Sequence, residues 1–322
     1  MVANAMKLAS VLTPLSHENL TLAAQTGVDE IVARYPGPDL SQLDQVQARI
    51  ESYGMRLGVV EGYLPIENIK LGRDDGTEMA QMKTLVRHLG EIGVPLICYN
   101  FMAGTDWIRT SVDSPERGGA KVTAFDLADL ASARIPGREP FRASLEPGAK
   151  REELWSNLEA FLTEIIPVAE DAGVVLAMHP DDPPLPELLG NDRCMHSVDG
   201  FERLVSLVPS PSNAIAFCQG TFSEMGIDIP AAIRQLGAHI AYVHFRDVIG
   251  TAESFVETWQ DTGQTDMAEA MRAYREVGFG GPIRPDHVPQ MIGEDDGEPG
   301  YTMLGRLFAY GYIRGLMDAT EA

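Results

Sequence analysis

Residues 152–184 read EELWSNLEAFLTEIIPVAEDAGVVLAMHPDDPP. Over Glu152–Ala172, the side chains Leu154, Leu158, Leu162, Ile165, Ile166 and Val168 fall close to the spacing of an apolar helix stripe. Gly173 then offers the left-handed backbone that closes a helix, and Val174–His179 follows as a short apolar run ending in polar residues. The same unit recurs in both directions along the chain. Strands are expected at Lys7–Leu12, Glu30–Arg34, Arg56–Glu61, Pro95–Asn100, Val174–His179, Ala214–Cys218, Ile240–Phe245 and Pro282–Pro285. Helical patterns cover Leu43–Tyr53, Glu78–Ile92, Phe201–Leu207, Ala231–Leu236, Met267–Val277 and Leu304–Met317. Gly27, Gly54, Gly93, Gly173, Gly237 and Gly278 are expected to end helices in the left-handed conformation. Eight alternating strand–helix units imply an α/β protein with a parallel sheet, and eight is the number that closes a (β/α)8 TIM barrel, here one domain over residues 1–322. The rhythm breaks between Phe101 and Lys150, a long insertion after strand four, rich in Gly, Pro, Arg and Asp. It reads as a lid over the barrel mouth or as an insertion that only packs.

Composition narrows the function. The chain has 322 residues, 44% hydrophobic and 22% charged, which excludes wholesale disorder and collagen-like structure. Its 25 basic and 47 acidic residues give a net charge of −22, a field that repels phosphate backbones and disfavours a nucleic-acid partner. Cys98, Cys194 and Cys218 are odd in number and far apart, which speaks against a disulfide framework and for a reducing cytoplasm. The N-terminus has no signal-peptide pattern, and no apolar run approaches the ~18 residues a membrane span needs. A cytoplasmic, soluble protein without a membrane partner is expected.

The apolar strands end, one after another, in residues able to bind a metal or a substrate: Glu61, Asn100, His179 with Asp181, Cys218, His244 with Arg246, and Arg284 leading to Asp286 and His287. In a barrel these ends share one face, where active sites are built. Singly, each has an ordinary reading: a strand-end His satisfied by backbone, Cys218 as a small core residue, Asp286 capping a turn. Together, His179, Cys218, His244 and Asp286 on four successive strands form a mixed N/S/O donor set for a divalent transition ion. The thiolate argues against Mg²⁺ or Ca²⁺. Arg246 and Arg284 can give the mouth positive potential for an anionic substrate, although Arg284 reads equally as a barrel-interior ion-pair residue. Trp107 either floors a sugar site or packs in its loop, and Trp155 belongs to helix core. His17, His88, His196 and His239 read as structural or surface residues, and Cys194 as incidental. Cys98 points the same way as Asn100 but ranks below Cys218, having no other ligand type beside it.

The chain resembles the mannonate dehydratase family of xylose-isomerase-like TIM barrels. The resemblance is carried by Pro65–Gly72, Ile97–Met102 with Asp106–Thr110, the HPDDPP segment His179–Pro184, Val243–Asp247, Gly281–His287 and Pro299–Tyr301. It implies a metal-dependent lyase converting D-mannonate, or a close relative, to 2-keto-3-deoxy-D-gluconate. It places Mn²⁺ or Fe²⁺ on His179, Cys218, His244 and Asp286, makes His287 and Tyr301 the acid/base pair, and puts Arg246 among the groups holding substrate. It also implies a homo-oligomer, a dimer or higher. The pattern departs from the family at Ser10-Val11-Leu12-Thr13, at Gln219-Gly220-Thr221, and at Ile66 and Val256, where the family carries histidine. Two other readings stand beside the dehydratase: a metal-dependent sugar or sugar-acid isomerase or epimerase on the same barrel, and a diverged carbohydrate-binding protein without turnover. An endonuclease-type barrel with several zinc ions is disfavoured by the acidity and by too few strand-end ligands.

Overall fold

The computed structural model describes residues 5–136 and 150–321. Eight parallel strands close a barrel: β1 Lys7–Val11, β2 Glu30–Arg34, β3 Arg56–Glu61, β4 Leu96–Tyr99, β5 Val175–Met178, β6 Asn213–Cys218, β7 Ile240–His244 and β8 Pro282–Arg284. Each pairs with the next, and β8 pairs back to β1 through Lys7–Pro282 and Leu8–Ile283. All eight lie within a residue or two of the expected positions. Inside the barrel, Ala9, Val11, Val32, Val59, Leu96, Cys98, Ala177, Ala216 and Tyr242 form a packed plug, as the layers of a closed barrel require. The larger apolar core lies between strands and helices. There the helix Arg151–Ala172 buries Leu154, Leu158, Phe161, Leu162, Ile165 and Ile166, with Trp155 beside them. Of the helices that the apolar spacing did not single out, His17–Gln25 completes the ring, while Glu67–Lys70 and Gln219–Glu224 are short extra helices after β3 and β6. Among the described residues no helix is long and apolar enough to cross a membrane.

Register matters most at the C-terminal ends. Arg34 lies opposite Glu61 and Glu61 opposite Cys98. Farther round, Cys218 lies opposite His244 and His244 opposite Arg284. Polar groups from strands up to 250 positions apart thus occupy two adjoining rows on one rim.

The expected insertion contributes more than loop. Within its described part, Ser111–Pro115 and Lys121–Asp126 are strands of a four-stranded antiparallel sheet, completed by the hairpin Val248–Thr251 and Ser254–Glu257 that follows β7. Residues 137–149, part of the stretch read as a lid, lie outside the described residues. Along Ser254–Glu257 the side chains alternate, with Phe255 and Glu257 buried and Val256 facing outward.

Gly237 corrects one expectation. Gly27, Gly54, Gly93, Gly173 and Gly278 have positive φ, but Gly237 has φ −54° and ψ −35°, ordinary right-handed backbone. Its lack of a side chain serves packing, because a Cβ there would stand 2.5 Å from Val277 Cγ1. Gly237→Ala should therefore lower stability in a denaturant titration by about 1–3 kcal/mol. Shortening the neighbour with Val277→Ala in the same chain should recover part of that loss. Absence of any recovery would point back to a backbone cause.

Candidate active site

A cavity of about 590 Å³ opens at the C-terminal rim of the barrel. His179, Cys218 and His244 each offer a ligand atom here, all within 4.8 Å of one another. Asp286 joins them: its Oδ2 is 3.6 Å from Cys218 Sγ and its Oδ1 is 3.7 Å from His244 Nδ1. It does so from a left-handed backbone, φ +61°, a conformation that costs a non-glycine residue energy and is sustained by its surroundings. Arg284 Nη1 lies 2.9 Å from Asp286 Oδ1. Burial works to raise the Asp286 carboxyl, but His287, Arg284 and His244 outweigh it and hold the group well below the usual range. Cys218 Sγ accepts from the Thr221 hydroxyl at 3.2 Å.

Two features bear on whether these residues suit an ion. His179 Nδ1 lies 2.7 Å from the Pro180 carbonyl, which takes the ring proton and leaves Nε2 free for the cavity. Burial also lowers the pKa of His179 and favours its neutral form. His244 Nε2 is buried without a hydrogen-bond partner, its nearest carboxylate oxygen being Glu61 Oε2 at 3.5 Å. The open Nε2 of His179, an imidazole nitrogen of His244, a sulfur and a carboxylate are donor types that a divalent transition ion takes.

His287 and Tyr301 stand beside this group, with ring centroids 5.2 Å apart. His287 Nδ1 is 2.7 Å from Glu257 Oε1, and its ring lies 4.2 Å from that of Trp107. Tyr301 is flanked by the Arg34 and Arg306 guanidiniums at 5.1 and 5.0 Å from its ring centre. Burial pushes its phenol well up, against the pull of Arg284, so it is protonated at neutral pH. Behind His287 lies a buried ion network. Arg109 makes a two-pronged contact with Asp182, at 2.7 and 3.0 Å, and reaches Glu257 Oε1 at 2.6 Å. Arg246 reaches Glu257 at 2.6 Å, Glu224 at 2.8 Å and Asp182 at 3.2 Å. Burial works to raise Glu257 as well, yet His287, Arg109 and Arg246 hold it well below the usual range.

Glu61, Asn100, Trp107 and Arg284 line the cavity as their strand-end or loop positions suggest. Arg284 is also the ion-pair residue, 2.9 Å from Glu61 Oε1. Burial raises Glu61, but Arg284 and His244 bring it to about 2. Three expectations need correction. Arg246 does not line the cavity: fully buried, its guanidinium contacts Asp182, Glu224, Glu257 and Thr221, with His287 Nδ1 at 3.2 Å and Asp286 Oδ2 at 3.5 Å. Gly220 leaves room for it, since a Cβ there would stand 2.3 Å from Arg246 Nε. Asp181 also turns away, accepting from the Met195 amide at 2.6 Å, while Asp182 faces the cavity. Cys98 does have ligand types beside it, lying within 4.8 Å of Glu61 and His244. Burial nevertheless drives its thiol well up, with Glu61 adding to the effect.

Lys70, Arg34 and Glu257 escaped the sequence reading. Lys70 lines the cavity although nearly buried, its Nζ 3.0 Å from Asn100 Oδ1. It sits in a one-turn helix whose spacing carries no strand-end signal. Arg34 does end a strand and could have been found that way. Of the two positions where the resemblance implies histidine, Ile66 lines the cavity and Val256 lies on the outer face of the small sheet.

The D-mannonate dehydratase (UxuA) family model matches residues 14–322. Mannonate dehydratase from Enterococcus faecalis is 31% identical over 96% of this chain and 94% of its own length. The Shouchella clausii enzyme is 35% identical over 88% and 86%. The crystal structure of mannonate dehydratase from Streptococcus suis superimposes with a TM-score of 0.88 at 29% identity, covering 98% of this chain and 94% of that one. D-allulose 3-epimerase from Methylomonas, at 14% identity and a TM-score of 0.59 over 97% and 98%, shares the barrel alone. With a match from residue 14 to the end and relatives above 30% identity along most of its length, this chain belongs to the mannonate dehydratase family of metal-dependent hydro-lyases.

Proposed function

We propose that the chain removes water from D-mannonate or a close relative, yielding 2-keto-3-deoxy-D-gluconate, at an ion held by His179, Cys218, His244 and Asp286. The observation that carries this reading is the gathering of those four donors at one rim, with His287 and Tyr301 beside them, and a buried His244 nitrogen that has no hydrogen-bond partner among the described residues. The cavity lies within the ~300–1,000 Å³ typical of small-molecule sites. The donor set favours Mn²⁺ or Fe²⁺ over the oxygen-seeking Mg²⁺ and Ca²⁺. When bound, the ion supplies Lewis-acid stabilisation of charge developing on substrate oxygens.

The proton transfers belong to the side chains. With Nδ1–H directed at Glu257, His287 presents the lone pair of Nε2 and takes the proton from C2. Tyr301, held in its protonated form, gives its proton to the C3 hydroxyl, which departs as water. The resulting enol loses its hydroxyl proton and gains one at C3, giving the keto acid. Positioned groups of this kind contribute ~10²–10⁴-fold each. In a chain of net charge −22, an anionic substrate needs local positive charge; Arg34, Lys70 and Arg284 in the cavity wall are offset there by Glu61, Glu67, Asp106, Asp182 and Asp286, so a bound divalent ion would have to tip the balance.

Anaerobic reconstitution with Fe²⁺ or Mn²⁺ should give conversion of D-mannonate to 2-keto-3-deoxy-D-gluconate, read by NMR of the product. An isomerised sugar acid as sole product would overturn the reaction. Cys218→Ser and His179→Ala should each lose bound metal by elemental analysis while the fold persists by circular dichroism; full stoichiometry in both would refute the ligand assignment. Lys70→Met removes a charge-assisted contact of about 1.5–3 kcal/mol and should raise KM roughly 10–100-fold. A KM within about twofold of the parent would take Lys70 out of substrate binding.

A further inference from the structure

The small antiparallel sheet does more than cover the barrel, because one of its inward-facing side chains reaches the acid/base pair. We propose that Glu257 is a positioning residue: its carboxylate, at the end of the strand Ser254–Glu257, fixes His287 with the proton on Nδ1 and the lone pair of Nε2 turned to the substrate. This rests on the proton-abstracting role of His287 given above.

Three observations converge. The Nδ1–Oε1 distance is 2.7 Å, and both side chains are almost completely removed from solvent. The carboxylate has no freedom to drift, since the same Oε1 is within 2.6 Å of nitrogens of both Arg109 and Arg246. The imidazole is hemmed in by Trp107, whose ring lies tilted by 32° with its centre 4.2 Å away, and by Tyr301, edge-on at 5.2 Å. Nε2 is left 3.7 Å from Asp286 Oδ1, on the side of the donor cluster. A neutral imidazole carries one ring proton, and the partner of one nitrogen decides which nitrogen is bare. Without the carboxylate, the ring can flip or take the other tautomer and present N–H where a lone pair is needed.

The small sheet thereby joins the catalytic apparatus. Glu257 comes from the hairpin after β7, Arg109 and Trp107 from the insertion after β4, and Thr123, which accepts from Arg109 Nε at 3.2 Å, from the strand paired with that hairpin. The insertion and the hairpin, far apart in sequence, meet around one imidazole.

Removing an orienting partner in comparable sites costs about 10–100-fold, and up to about 10⁴-fold where the wrong tautomer results. Glu257→Asp keeps the negative charge beside Arg109 and Arg246 but withdraws the carboxylate from His287. In the metal-loaded enzyme it should cut kcat by about 10–100-fold with KM and metal content within about threefold of the parent. Glu257→Gln should cut kcat further, and neither change should add to the loss already present in His287→Asn. Histidine ¹⁵N NMR of the parent protein loaded with diamagnetic Zn²⁺, with His287→Asn identifying the signal, should show His287 protonated at Nδ1 and bare at Nε2. The proposal is overturned if Glu257→Asp turns over within about twofold of the parent, if its loss is equally large in the His287→Asn background, or if the proton sits on Nε2. Should Glu257→Gln fail to fold, the aspartate variant and the NMR signal decide. Full turnover by His287→Asn would instead overturn the role given to His287 itself.

Discussion

Arg109 and Arg246 place two permanent positive charges where water does not reach, and a guanidinium cannot shed its proton to escape the cost. Asp182 and Glu257 answer them with two buried carboxylates in direct contact. Glu224, pushed up by burial and by Asp182 against the pull of Arg246, adds a further acceptor for the Arg246 guanidinium at 2.8 Å. Removing one partner from such a group leaves an uncompensated buried charge, at a cost of about 3–5 kcal/mol. A well-packed apolar replacement of the whole set can be as stable or more so, so stability alone does not account for the ions. What the network does accomplish is placement. It ties the insertion after β4, the loop after β5, the end of β7 and the hairpin beyond it to one point, and that point touches His287.

The rim beside it follows the same logic with a different outcome. Arg284 bridges Glu61 and Asp286, each 2.9 Å away, and Tyr242 donates its hydroxyl to Glu61 at 3.0 Å. Glu61 is therefore committed to a guanidinium and a phenol. Cys98, next to it, is held protonated by burial. Two trios of ligand-type residues share His244, yet only the one with His179 and Cys218 keeps free donor atoms, and Asp286 approaches that one. The unusual backbone of Asp286 fits this picture. A residue forced to positive φ needs neighbours that overdetermine it, and Arg284, Arg246, His244 and His287 all stand within 3.7 Å of its carboxylate.

The barrel was readable in the sequence because buried parallel strands are short apolar runs and the helices between them carry apolar stripes, two signals that survive without any partner in view. The rim was readable for a related reason, since a polar residue directly after such a run emerges at the strand's C-terminal end. What the run does not encode is which way the next side chain turns. His244 ends β7 and Arg246 comes just after it, but one faces the cavity and the other lies behind it; Asp181 and Asp182 divide in the same manner. The antiparallel sheet was hidden more deeply. Its strands sit on either side of more than a hundred residues, and Glu257 finds Arg109 across a separation of 148 positions. No local periodicity records that pairing. Gly237 shows the converse error, where a glycine in the right place for a helix stop serves a neighbouring Val277 instead.

The two positions where the resemblance implies histidine, Ile66 and Val256, take on different meanings once they are located. Val256 projects from the outer face of the small sheet, while its neighbour Glu257 points inward to His287. A change at 256 therefore leaves the inner face, and everything attached to it, as it was. Ile66 is another matter, buried in the cavity wall near Lys70 and Asn100. An isoleucine offers neither donor nor acceptor, so a substrate hydroxyl brought against it would lose its water and gain nothing, a penalty of about 1–3 kcal/mol. The residues proposed to move protons and to hold the ion do not include position 66. Selection among sugar acids can thus shift at this wall without altering those side chains, which is the separation expected when function resides in a site set on a common barrel.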